Sequence, residues 1–155
     1  MKQTQLTDLL NTLSNKEIQQ LKKWIASPFF NKRKDVVQLF EFYLWYQKKN
    51  KEAPSKEQVF EHLFPKQLYD DHKVRLAMSF LKKLVEQFLI YQAEQEQKIR
   101  QKLTLAKIYR LRKLDKQAKQ QLREVEKLLF DKMKQRGADY YEFSYQYHAE
   151  KLEHV

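Results

Sequence analysis

Histidine and the carboxylates are the residues through which this chain could hold a metal or move a proton. Their spacing favours neither. The histidines, His62, His72, His148 and His154, form no H-x-x-x-H or E-x-x-H pair, the spacings that set two ligands on one helix face. Asp70-Asp71-His72 gathers three such groups, but consecutive residues leave a helix start in different directions, and capping of the next helix explains the aspartates. Glu150, Glu153 and His154 read as a solvated face. One glycine in the chain excludes Gly-rich phosphate loops, which need at least two, and no serine sits in a G-x-S-x-G elbow. Without cysteine there is no disulfide, thiolate metal site or cysteine nucleophile. The expectation is a protein with no catalytic residue, metal or cofactor, and so not an enzyme.

Charge and aromatic surface are what remain. Net charge is +11, and the excess concentrates in residues 98–136, where 14 Lys and Arg face 4 Asp and Glu. Such a segment is either a solvated helix surface or an electrostatic footprint for nucleic acid or an acidic partner. If nucleic acid binds, Lys102, Lys107, Arg110, Arg112, Lys113, Lys116, Lys119 and Arg123 are expected to touch phosphates, with little sequence preference and steep salt dependence. A second candidate surface is aromatic: Tyr140, Tyr141, Phe143, Tyr145 and Tyr147, as a face for a partner helix. A third stretch, Ser27-Pro28-Phe29-Phe30-Asn31, reads as a wedge pinning two helices, with an aromatic platform for a peptide or nucleobase as the alternative.

The elements that carry these groups are helical. One glycine and three prolines leave too few turn positions for hairpin-linked strands. The organising stretch is Asp71–Gln92, one helix whose apolar residues cover roughly 220° of its wheel, far more than the ~100° of a surface helix. It should therefore be enclosed on most sides, with Phe80, Leu84 and Phe88 inside. Before it come a short helix from Leu6 to Leu13 and a second opened by the capping box Ser14–Glu17, with Leu13 and Ile18 as a hydrophobic staple. Pro28 stops the second helix, and Asn31 is placed to cap the third. That third helix, Arg33–Lys48, is apolar nearly all round and is expected to be the main partner of the central one. Ser55–Gln58 is a second capping box, opening a short helix that ends at Pro65. This short helix and the central one have the order of a helix-turn-helix, although a second helix this apolar makes a poor reading head. A bend is expected between Gln92 and Gln97, where the apolar pattern lapses.

The last third changes rhythm. Leu105, Ala106, Tyr109, Ala118, Leu122 and Val125 are spaced as in the tetratricopeptide repeat, which this hairpin resembles over about 34 residues. Lys113 or Leu114 stands where that repeat has a turn glycine, and Asp115 is placed to cap the second helix. Leu122, Val125, Leu129 and Met133 give that helix its seam, and Gly137 its stop. From Asp139 a further helix runs to Val155 with no stop signal, consistent either with a longer chain or with a helix that packs back on the hairpin.

Trp24 to Arg33, Val36 to Phe40, Leu63-Phe64-Pro65 and Tyr69-Asp70-Asp71 together resemble a group of uncharacterised all-helical proteins from Bacteroidota bacteria, over roughly residues 10–130. Those proteins are longer chains, and the resemblance implies a helical fold style and a cytosolic bacterial setting, with no activity or cofactor attached. The whole predicts an all-α array around a buried helix at 71–92, followed by a TPR-like hairpin. Domains are expected at 1–95 and 96–155, packed as one unit. No apolar run approaches the ~20 residues of a membrane span. The function expected is a cytoplasmic interaction scaffold for a protein partner, with nucleic-acid binding through 98–136 as the alternative.

Overall fold

Four of the eight helix starts among the described residues are capped by a side chain. Ser14 Oγ accepts the Glu17 N–H while the Ser14 N–H donates to the Glu17 carboxylate at 2.7 Å. Ser55 and Gln58 repeat the exchange. A third box lacks the usual carboxylate or amide: Thr4 and Thr7 cap each other reciprocally, with the Thr7 hydroxyl in its place.

The computed structural model describes residues 4–132 and 137–153, and among them are eight helices and no strand. They are α1 (Gln5–Asn11), α2 (Asn15–Ala26), α3 (Lys34–Asn50), α4 (Lys56–Leu63), α5 (Asp71–Glu96), α6 (Lys98–Leu111), α7 (Asp115–Lys132) and α8 (Ala138–Leu152). The chain divides into two units, Met1–Ile90 and Tyr91–Val155, and the division falls inside α5. The expected break follows α5: Gln97 leaves helical geometry and α6 begins one residue later.

In the first unit α1 to α5 share one core, in which Leu21, Ile25, Val36, Leu39, Val59, Val74, Leu81 and Val85 lose essentially all contact with solvent. Tyr43 lies in it too, and its hydroxyl reaches out to donate to Asn11 Oδ1 at 3.0 Å. That is how a buried phenol is accommodated: the ring fills the core and the polar tip finds an acceptor. Burial raises the Tyr43 pKa above its ordinary value.

The enclosure of α5 is narrower than its composition suggested. Its buried residues, Val74, Ala77, Met78, Leu81, Leu84, Val85 and Phe88, occupy about 120° of the wheel, the width of an ordinary core-facing stripe. Leu84 and Phe88 are inside, but Phe80 is 38% exposed, and Leu76, Ile90 and Tyr91 are also exposed. Phe80 is covered by charge instead of by a helix. The Arg33 guanidinium lies 4.4 Å from its ring centre and Lys83 lies 5.8 Å away. Nor is α3 the main backbone neighbour of α5. The close backbone approaches of α3 are to α2 and α4, and α5 joins the shared core through its buried side chains. Trp45, grouped with the apolar face of α3, is exposed.

Ser27–Asn31 is not a wedge. Phe30 stacks on Trp24 with ring centres 3.7 Å apart, Phe29 meets Phe30 edge-on, and Phe29 itself is 86% exposed. Asn31 does not cap α3 either. Its amide donates to the Ile25 and Arg33 carbonyls and its oxygen accepts the Arg33 N–H, so it ties the turn to the end of α2.

In the second unit Ile99, Leu103, Ala106, Leu122, Val125, Leu129, Phe143 and Tyr147 make a separate core. Helices α6 and α7 form a tight hairpin in which Ala106 and Ala118 are fully buried. A small residue on each helix lets the backbones come close. The hairpin turns without glycine. Lys113 takes φ 60°, and the N–H groups of Lys113 and Leu114 donate to the carbonyls of Arg110 and Tyr109, the two bonds of a Schellman motif. Asp115 is the first residue of α7 and not its flanking cap, where its charge still favours the helix dipole. Gly137 is the residue before α8, in extended backbone, and its expected role as the stop of α7 depends on residues 133–136, which lie outside the described residues. Met133 lies outside the described residues.

Candidate interaction surfaces

Asp70, Asp71, Glu150 and Glu153 each bond or pair with a neighbouring group. Asp70 accepts the His72 N–H at 2.9 Å, as a cap of α5. Asp71 takes Lys56, the Tyr69 hydroxyl and Arg75 at once. The Lys56 and Tyr69 bonds hold its carboxyl below the ordinary carboxylate value. Glu150 and Glu153 both face Arg110, and His154 lies outside the described residues. Among the described residues no group of three His, Cys, Asp or Glu is placed to hold a metal ion. The helix-turn-helix order is present in α4 and α5, yet α5 turns Val74, Ala77 and Met78 into the core.

The eight cations proposed for phosphate contact separate into three groups. Lys102 of α6 is paired with Glu124 of α7, and that pairing is the main reason the Glu124 carboxyl lies below its ordinary pKa. Arg110 donates to Glu150 at 2.7 Å, with Glu153 at 3.8 Å. Lys107 lies with it along a groove of about 500 Å³ that Tyr145 and Ala149 of α8 also line. These three are therefore committed to, or facing, the α6–α7 and α6–α8 seams. The remaining five, Arg112, Lys113, Lys116, Lys119 and Arg123, are exposed at the hairpin turn and on α7. No side chain of these five has an ion-pair partner among the described residues. Sequence spacing could not separate the groups, because the neutralising carboxylates come from other helices.

The aromatic face of α8 also divides. Phe143 and Tyr147 are buried in the second core and Tyr140 is packed at its edge. Tyr141 and Tyr145 point the other way, 60% and 76% exposed. His148 and Leu152, which sequence reasoning left out of that face, continue the same side, with Leu152 74% exposed. Residues 141, 145, 148 and 152 follow the i, i+4, i+7, i+11 rule of one helical stripe. That signal was present in the sequence, and it was obscured by treating every aromatic of α8 as one surface. The chain matches no known family, no curated protein and no solved structure.

Proposed function

We propose that the protein is a non-enzymatic helical scaffold that binds a protein partner through the outward side of α8. The observation that carries this is the two-sided nature of that helix. Phe143 and Tyr147 anchor it in the core while Tyr141, Tyr145 and Leu152 stand in solvent in one row. Tyrosine supplies large contact area at small entropic cost and is enriched where binding energy concentrates at interfaces. A row at helical spacing suits a partner helix laid alongside, as adjacent helices stack in repeat arrays. The resemblance to Bacteroidota proteins and the cysteine-free sequence support a bacterial cytoplasm as the setting.

The test is site-specific photocrosslinking from position 148 in cells, set against crosslinking from Lys22 on α2, each repeated in the Tyr141→Ser/Tyr145→Ser background. The expected result is a defined protein adduct from 148 alone, lost in the double variant while the helical circular dichroism is unchanged. The same adducts from both positions, or no effect of the double variant, would refute the reading.

A further inference from the structure

Helix α7 has a cationic ridge. Its buried residues, Ala118, Leu122, Val125 and Leu129, face α6 and α8, and Lys116, Lys119 and Arg123 occupy the opposite side, all exposed. Arg112 and Lys113 extend the row at the turn. Four acids of the unit pair with other cations: Glu124 with Lys102, Glu142 with Arg100, and Glu150 and Glu153 with Arg110. Asp115 and Glu126 flank the ridge without forming an ion pair with it among the described residues, and Lys127 continues it beside Glu126 and Asp131.

Two further features make this arrangement unfavourable for the isolated helix. Lys116–Lys119 and Lys119–Arg123 are like-charge neighbours at i,i+3 and i,i+4, which repel. Lys116 also sits in the first turn, at the positive end of the helix dipole, where cations are disfavoured. A bound polyanion relieves both. The cations recur about once per 5.4 Å helical turn, a spacing of the same order as neighbouring phosphates along a strand. Three of the five cations are lysines, which meet phosphate as point charges and read no base.

We propose that Arg112, Lys113, Lys116, Lys119 and Arg123 bind the phosphate backbone of nucleic acid, without reading sequence. This surface is separate from the outward side of α8, and either can stand without the other. Five phosphate contacts give a slope of log affinity against log salt of about −4.5 on duplex DNA and about −3.5 on single strands.

The experiment measures anisotropy of labelled mixed-sequence duplex DNA, single-stranded DNA and single-stranded RNA with the full chain over a salt series. It compares Lys116→Gln/Lys119→Gln/Arg123→Gln with the charge-matched control Lys22→Gln/Lys23→Gln/Lys34→Gln from the first unit. The ridge variant is expected to flatten the slope by about 2.7 on duplex or about 2.1 on single strands, and to weaken low-salt binding at least tenfold. The control should keep the slope, and circular dichroism should be alike in all three proteins. The arm with the greatest affinity identifies which nucleic acid the ridge suits. Absence of binding at low salt, equal losses in the two variants, or tighter binding of polyglutamate than of any nucleic acid would overturn the proposal.

Discussion

Replacing Lys113 by glycine should make this protein more stable, although no contact is added. Lys113 closes the α6–α7 hairpin at φ 60°, with the Lys113 and Leu114 N–H groups bonded back to Arg110 and Tyr109 at 2.9 and 2.8 Å. An L-residue held in left-handed backbone costs about 1–2 kcal/mol because Cβ crowds the following carbonyl. Glycine removes that crowding but brings back about 0.5–1 kcal/mol of unfolded-chain freedom. The difference is a gain of about 0–1.5 kcal/mol, centred near 0.75, or roughly 3–6 °C in Tm at that centre if the second unit unfolds as a domain of its own size. Loss of a lysine charge beside Arg112 and Lys116 could itself stabilise, so Lys113→Ala is the necessary comparison. Alanine removes the charge and keeps the Cβ. Urea unfolding followed by far-UV circular dichroism gives both free energies. Equal stability of the glycine and alanine variants would refute the conformational account, and a less stable glycine variant would show that the turn is not held as described.

The remaining predictions concern the first unit. Leu81→Ala, at a fully buried position, should cost about 2–5 kcal/mol. Phe80→Ala one residue earlier should cost less than half of that, because the ring is covered by cations and water; equal losses in denaturant titrations would contradict the narrow stripe on α5. Asn31→Ala removes three hydrogen bonds from the turn after α2 and should lower stability by about 1–3 kcal/mol; a change too small to measure would mean that the stacked Phe30 alone holds the turn. Asp35 is held below its ordinary value of 3.8, chiefly by its hydrogen bonds with Arg33, and Asp71 likewise by Lys56 and Tyr69. A depressed folded-state pKa contributes stability that is complete above the ordinary value and disappears as pH falls through the depressed one. Carboxyl-carbon NMR titration should therefore place both midpoints below 3.8, and a midpoint at or above it for either residue would remove that contribution.

Local signals were legible in the sequence and non-local ones were not. Ser14–Glu17 and Ser55–Gln58 could be read because a capping box closes within four residues. The break at Gln97 could be read because the apolar period fails there. The enclosure of α5 was overstated because periodicity counts apolar residues without saying which lie at the edge of the contact. Leu76 and Phe80 are such edge residues. Asn31 was read as a cap because asparagine before a helix usually is one, whereas here the unsatisfied carbonyl of Ile25 at the end of α2 captures its amide. The left-handed turns were hidden for a related reason. In a chain with one glycine, Lys51, Lys66 and Lys113 adopt positive φ, and nothing in a lysine announces that. The division of the eight cations depends on Glu124, Glu150 and Glu153, whose proximity exists only once the helices are packed.

The partition of the chain at Ile90 has a spectroscopic corollary. Both tryptophans, Trp24 and Trp45, belong to the first unit, and Tyr109, Tyr140, Tyr141, Tyr145 and Tyr147 all belong to the second. Indole emission therefore monitors one half of the molecule and is blind to the other. Superimposable melting traces from indole emission and from backbone ellipticity would mean the halves unfold as a single cooperative block. Displaced traces would mean that each has its own transition.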